Sequence, residues 1–317
     1  MKVHLLGASL ILALCLVPAR ALGGETPAPP APAAKASIAV PALQYCAVVG
    51  ASVSAGFGLD PSANAFAGEK SKLQMAQIVD ASIAGPHERP FNGADLNFFS
   101  SPEGIAKRAA ADAKAAKPTA LVAIDYLFWM GYGPGGDEKR EERVNTGLKH
   151  LEAFACPVLV GDLPDFRGAG TNPMFLPKES IPSAEALARM NKRIYAWAKE
   201  RKNVVVVVPM AEMLRKLIVD EPFTVGGTAY EKGSKARLLQ SDNLHTTVEG
   251  TCALWVLAAE AWSQADASVP SDAFLLDIPA LAKKAEELSQ SATPVKGKGK
   301  KAKSGTKKDK VGAGSGG

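Results

Sequence analysis

Val48-Val-Gly-Ala-Ser-Val-Ser-Ala-Gly-Phe-Gly58 closes a strand-like run and breaks at once into a glycine-rich turn. Residues 45–49 have the apolar character of a buried strand, and Gly50 ends it. Ser52 then stands just past the carboxyl end of that strand, in a turn whose glycines permit a tight reversal. A serine so placed is a candidate nucleophile. Near neutral pH it needs a base, because a free hydroxyl is a poor nucleophile.

Outward from this stretch, apolar runs of strand length alternate with helix-length amphipathic segments. Further strands are expected at 95–99, 121–127, 157–161 and 203–208. The last holds five consecutive valines and reads as buried on both faces. Helices are expected at 70–84, 102–115, 137–154, 184–201, 247–262 and 279–289. This alternation argues for an α/β fold with a parallel sheet covered on both sides. Ligands bind such sheets at the carboxyl ends of the strands, where Ser52 lies.

The ends of the chain read differently. A basic start, an apolar stretch from Leu5 to Val17 and a small-residue exit at Ala19–Ala21 make residues 1–21 an expected signal peptide, so the chain is expected to be exported, periplasmic or secreted. Leu14 is too bulky for Cys15 to suit lipidation. Residues 22–41 form a Pro/Ala-rich linker, 42–291 one large domain, and 292–317 a Lys/Gly-rich tail expected to be disordered. The net charge of +5 is misleading. Eight lysines and one aspartate in the tail, with Lys2 and Arg20, contribute +9 and leave −4 for residues 22–291. The tail suits an anionic envelope polymer, or no specific partner; the acidic domain disfavours nucleic acid. No transmembrane span is expected in the mature chain. Cys46, Cys156 and Cys252 lack metal-ligand spacing and read as buried small hydrophobes, although one disulfide is permitted outside the cytosol.

Three histidines follow the leader. His150 sits on a charged helix face and reads as solvated, and His87 follows Gly85-Pro86 in an expected surface loop. His245 has the better context. Thr246-Thr-Val-Glu249 has the form of a capping box, which would hold His245 at a helix entry. Asp242, three residues earlier, is within reach of the imidazole. Hydroxyl, imidazole and carboxylate are the components of nucleophilic acyl transfer, whereas either segment alone equally suits a surface loop or a phosphate-cradling turn.

Gly50-Ala-Ser52-Val-Ser54-Ala-Gly56 resembles the first, Gly-Asp-Ser block of the SGNH or GDSL-type hydrolases, and Asp242-Asn-Leu-His245-Thr-Thr-Val-Glu-Gly250 resembles their last, Asp-x-x-His block. The resemblance covers roughly residues 44–265. It implies a three-layer, flavodoxin-like α/β/α sandwich and cleavage of carboxylic esters through an acyl-enzyme, without a cofactor or metal. It implies Ser52 as nucleophile, His245 as general base and acid, and Asp242 as its orienting partner; the substrate would be a small-molecule or polysaccharide ester. Three positions depart from the pattern: Ala51 replaces the block-one aspartate, no glycine precedes Gly104 in the second block, and Leu127 stands near the expected asparagine of the third. Substitute oxyanion or substrate groups are then expected among Ser100, Ser101 and Tyr126, with Asp125 supporting the site through local hydrogen bonds. A relative that binds carbohydrate or an envelope partner without turnover is the alternative the departures leave open.

Overall fold

The computed structural model describes residues 39–60, 62–63 and 71–291. The expected leader, nearly all of the linker, the tail and the first residue of the 70–84 helix lie outside them. No helix among the described residues is long and apolar enough to cross a membrane.

Five short strands form one parallel sheet: β1 (Cys46–Val48), β2 (Phe91–Asn92), β3 (Ala120–Ala123), β4 (Val158–Gly161) and β5 (Val205–Val208). Their order is β2-β1-β3-β4-β5, the doubly wound arrangement of flavodoxin-type sheets. Register is continuous through the centre, with Ala47 opposite Leu121, Leu121 opposite Val158, and Val158 opposite Val205. Every residue of β1, β3 and β4 is buried, as strands covered on both faces require. On one face α1 (Met75–Ser82) packs with α8 (Val248–Ala265) and α9 (Ile278–Ser291); on the other, α2 (Pro102–Ala115), α3 (Phe128–Gly131), α4 (Asp137–Leu151) and α5 (Ala184–Glu200) pack in series. The chain is thus a three-layer α/β/α sandwich.

Several expectations are corrected. Residues 95–99 are not a strand. Asp95 Oδ1 accepts the Asn97 amide at 2.8 Å, an Asx turn that diverts the backbone into a 3₁₀ turn at Phe98–Ser100, and the strand falls earlier at Phe91–Asn92. β3 stops at Ala123, four residues short of Leu127. Burial alone explains the apolar run beyond it, because Ile124, Tyr126 and Leu127 are as buried in a turn as they would be in a strand. β5 is an edge strand, so Val206 and Val208 are buried while Val205 and Val207 stay partly open.

The sequence pattern missed α3, α6 (Met210–Val219), the hairpin of β6 (Phe223–Val225) and β7 (Thr228–Tyr230), and α7 (Lys235–Leu238). The hairpin turns on Gly226 and Gly227, both at positive φ, as a two-residue connection between antiparallel strands demands. The three cysteines are free, with Cys46 and Cys252 buried and Cys156 partly so. Cys46 and Cys156 lie on opposite sides of β3, about two strand spacings or ~9.6 Å apart, too far for a bridge.

Candidate active site

The segment after β1 is shaped by one carboxylate. Asp125, just past the end of β3, accepts the amides of Ala51 at 3.0 Å, Val53 at 3.0 Å and Ser54 at 3.1 Å, and the Ser54 hydroxyl at 2.5 Å. All four hydrogen bonds hold the turn that carries Ser52. Asp125 reaches that turn from another strand. Gly50 permits the approach: a Cβ there would lie 2.0 Å from Asp125 Oδ1 and 2.5 Å from Ser54 Oγ. Burial raises the Asp125 carboxyl above the usual carboxylate range, and the four hydrogen bonds oppose that shift only in part. The Ser52 amide is passed over by Asp125 and by every other acceptor among the described residues.

The second segment folds on itself. Asp242 Oδ1 accepts the amides of Leu244 at 2.9 Å and His245 at 3.0 Å, while Oδ2 lies 2.7 Å from His245 Nδ1. Asn243 takes the left-handed conformation at φ 56°, which asparagine tolerates and this reversal needs. Asp242 lowers its carboxyl below the ordinary value. Burial pushes it up, but the hydrogen bonds from the His245 ring and from the two amides outweigh burial. With a carboxylate at Nδ1, the neutral ring carries its proton there and presents an Nε2 lone pair. The expected Thr246–Glu249 box does not form. Thr246 bridges to Leu239, Glu249 pairs with Arg237, and the cap of α8 is Thr247, whose hydroxyl accepts the Gly250 amide at 3.0 Å.

These segments meet. The Gln240 side-chain amide donates to Phe57 O at 2.8 Å and to Thr246 O at 2.7 Å, clamping the serine turn to the histidine loop. Phe57, whose amide donates to Ser52 O at 2.9 Å, stacks on the His245 ring with centroids 4.1 Å apart. Phe175 meets the same imidazole edge-on at 5.4 Å. Ser52, Leu244 and Thr246 all line one apolar cavity of about 80 Å³. Ser52 Oγ and His245 Nε2 make no hydrogen bond to each other.

Sequence reasoning could not anticipate Gln240 or Phe57, since their roles depend on contacts up to 183 residues away. Pro164 and Phe166, in the loop after β4, wall the cavity. Of Tyr126, Phe128, Trp129 and Tyr132, the aromatic residues that follow β3, only Phe128 reaches it. Tyr126 points elsewhere: its buried hydroxyl donates to Ala106 O at 2.9 Å and lies 3.1 Å from His150 Nδ1. His150 is consequently half-buried rather than solvated, and burial lowers its pKa. His87, half-buried, pairs with Asp80 at 3.0 Å. Ser100 and Ser101 are exposed at the start of α2 and do not line the cavity; the Ser100 hydroxyl donates to Asn97 O at 2.8 Å. No cluster of three or more potential metal ligands occurs among the described residues.

No protein-family model matches the chain, and no curated protein matches it. Among solved structures, the crystal structure of phospholipase A1 from Streptomyces albidoflavus NA297 aligns with 70% of this chain and 99% of its own, at 14% identity and a TM-score of 0.35. A likeness that distant bears on neither site nor substrate.

Two outcomes follow from the geometry. Asp125→Ala strips the acceptor from three amides and a hydroxyl in the serine turn, and is expected to lower unfolding free energy by about 3–5 kcal/mol in urea titration; a loss under about 1 kcal/mol would contradict the organising role. Asp242, with its depressed pKa, contributes stability that is full above about pH 4 and lost as pH falls through its lower folded-state value. The stability gap between wild type and Asp242→Asn should therefore narrow between pH 5 and pH 2. A gap independent of pH would contradict the assignment.

Proposed function

We propose that the protein is an exported serine hydrolase that cleaves carboxylic esters, in the manner of the SGNH-type family its two motifs resemble. The single observation that carries this reading is the 2.7 Å pairing of Asp242 with His245 Nδ1, on a loop clamped to the serine turn and facing the same cavity. It leaves Nε2 as the basic atom of the ring.

In the proposed reaction His245 Nε2 takes the Ser52 proton as Oγ attacks the ester carbonyl, and the tetrahedral oxyanion forms. The Ser52 amide, left unpaired by the Asp125 network, supplies one donor to that oxygen. Collapse expels the alcohol, which receives the proton from His245, and leaves an acyl group on Ser52. Water then repeats the cycle with His245 as base. Asp242 holds the ring's tautomer and balances its charge while it is protonated. Phe57 and Phe175 fix the plane of the imidazole from its face and edge. Ser100 and Ser101 stand as further candidates for contacts to the alcohol portion, and the Lys-rich tail for anchoring to an anionic envelope polymer.

A fluorophosphonate should label the purified protein at Ser52, located by peptide mass spectrometry, and Ser52→Ala should abolish the adduct. Labelling at another residue would contradict Ser52 as the nucleophile, and ligand affinity with no covalent adduct at any pH would instead support a binding-only role for the same cleft.

A further inference from the structure

Asp125, Thr246 and Ser52 are the polar members of the cavity wall, and two of the three are already engaged. Asp125 spends its oxygens on residues 51, 53 and 54, and Thr246 Oγ1 lies 2.6 Å from Thr251 Oγ1. Ser52 is the remaining polar group in an otherwise apolar wall. Nothing else in that wall can satisfy a sugar hydroxyl or a charged group, and an unpaired polar ligand atom there would be penalised. One long wall is a single helical stripe: Met210, Met213, Leu214 and Leu217 recur at i, i+3, i+4 and i+7 along α6.

On the ester-cleaving reading above, on which this inference rests, we propose that the cavity is the acyl-chain site and that α6 sets the chain length. The occupant is a linear, saturated acyl chain of medium length, with its carbonyl at Ser52 Oγ and its tail along the α6 stripe. Acetyl groups leave the space empty, and polysaccharide lies outside it, on the alcohol side. A volume of about 80 Å³, at ~10–15 Å³ for each water-sized group, holds roughly five to eight methylene-sized units. Each methylene buried raises specificity by up to about fourfold. The two methionines suit a site that must close around chains of differing length.

The test has two arms, both on the full chain. In the first, kcat/KM is measured for p-nitrophenyl esters from acetyl to dodecanoyl, together with labelling of Ser52 by fluorophosphonates of matching alkyl length. The expected profile rises at least tenfold from acetyl to a maximum near hexanoyl to octanoyl, then falls. Leu214→Trp should cut the octanoyl value at least tenfold and move the maximum to a shorter chain. Because Leu214 is buried and its variant can fail to fold, Met213→Trp, at a half-buried position, is the second variant. In the second arm, octanoate binding to Ser52→Ala is followed calorimetrically, with and without Met213→Trp. Ser52 labelling with a flat or acetyl-peaked profile overturns the acyl-chain site and leaves the hydrolase reading standing. Octanoate binding that Met213→Trp weakens at least tenfold, without any labelling, supports the site and overturns the hydrolase reading. Neither labelling nor binding overturns both.

Discussion

One buried carboxylate organises the serine turn at the carboxyl end of the sheet. Asp125 sits just past the stop of the central strand and gathers the loop after a neighbouring strand by the amides of residues 51, 53 and 54. Parallel sheets deliver their strand ends side by side, so β1 and β3, direct neighbours, place residues 51–54 against residue 125 without any long excursion of the chain. Glycine at position 50 is the steric condition for that contact. The family pattern that the sequence resembles keeps an acid within the serine turn itself; here Ala51 leaves the task to a neighbour across the sheet, and the turn is held all the same.

The histidine side is built by local means. Asp242 closes on the amides of residues 244 and 245 and on the ring between them, using a left-handed Asn243 to reverse direction. Its coupling to the serine turn is then a matter of one glutamine and one phenylalanine. Gln240 spans both backbones, and Phe57 covers the imidazole face. The two halves are built separately, each by its own carboxylate, and are joined by these side chains.

What could be read in the sequence follows the range of the interactions. The parallel α/β pattern was legible because buried strands and amphipathic helices announce themselves over short windows, and Asp242 with His245 was legible because they are three residues apart. Asp125 was visible as a local support, although its partners lie more than seventy residues away. The end of β3 was not legible, since a buried turn and a buried strand demand the same apolar residues. The exposure of Val205 and Val207 was equally hidden, for an edge position is decided by sheet order and not by the strand's own composition. His150 reads as charged-face solvent until its neighbour across the fold, Tyr126, is known.

The account stands or falls on whether the Ser52 hydroxyl and the His245 imidazole act as one unit on an ester. The most direct measurement is rapid quenching of the protein with p-nitrophenyl octanoate, followed by intact-mass and peptide analysis. An octanoyl adduct on Ser52 that forms within the first turnover, and whose formation slows by about 10³-fold or more in His245→Ala, is the predicted result. Ester cleavage at an unchanged rate in His245→Ala, or with the acyl group found on any other side chain, would contradict it.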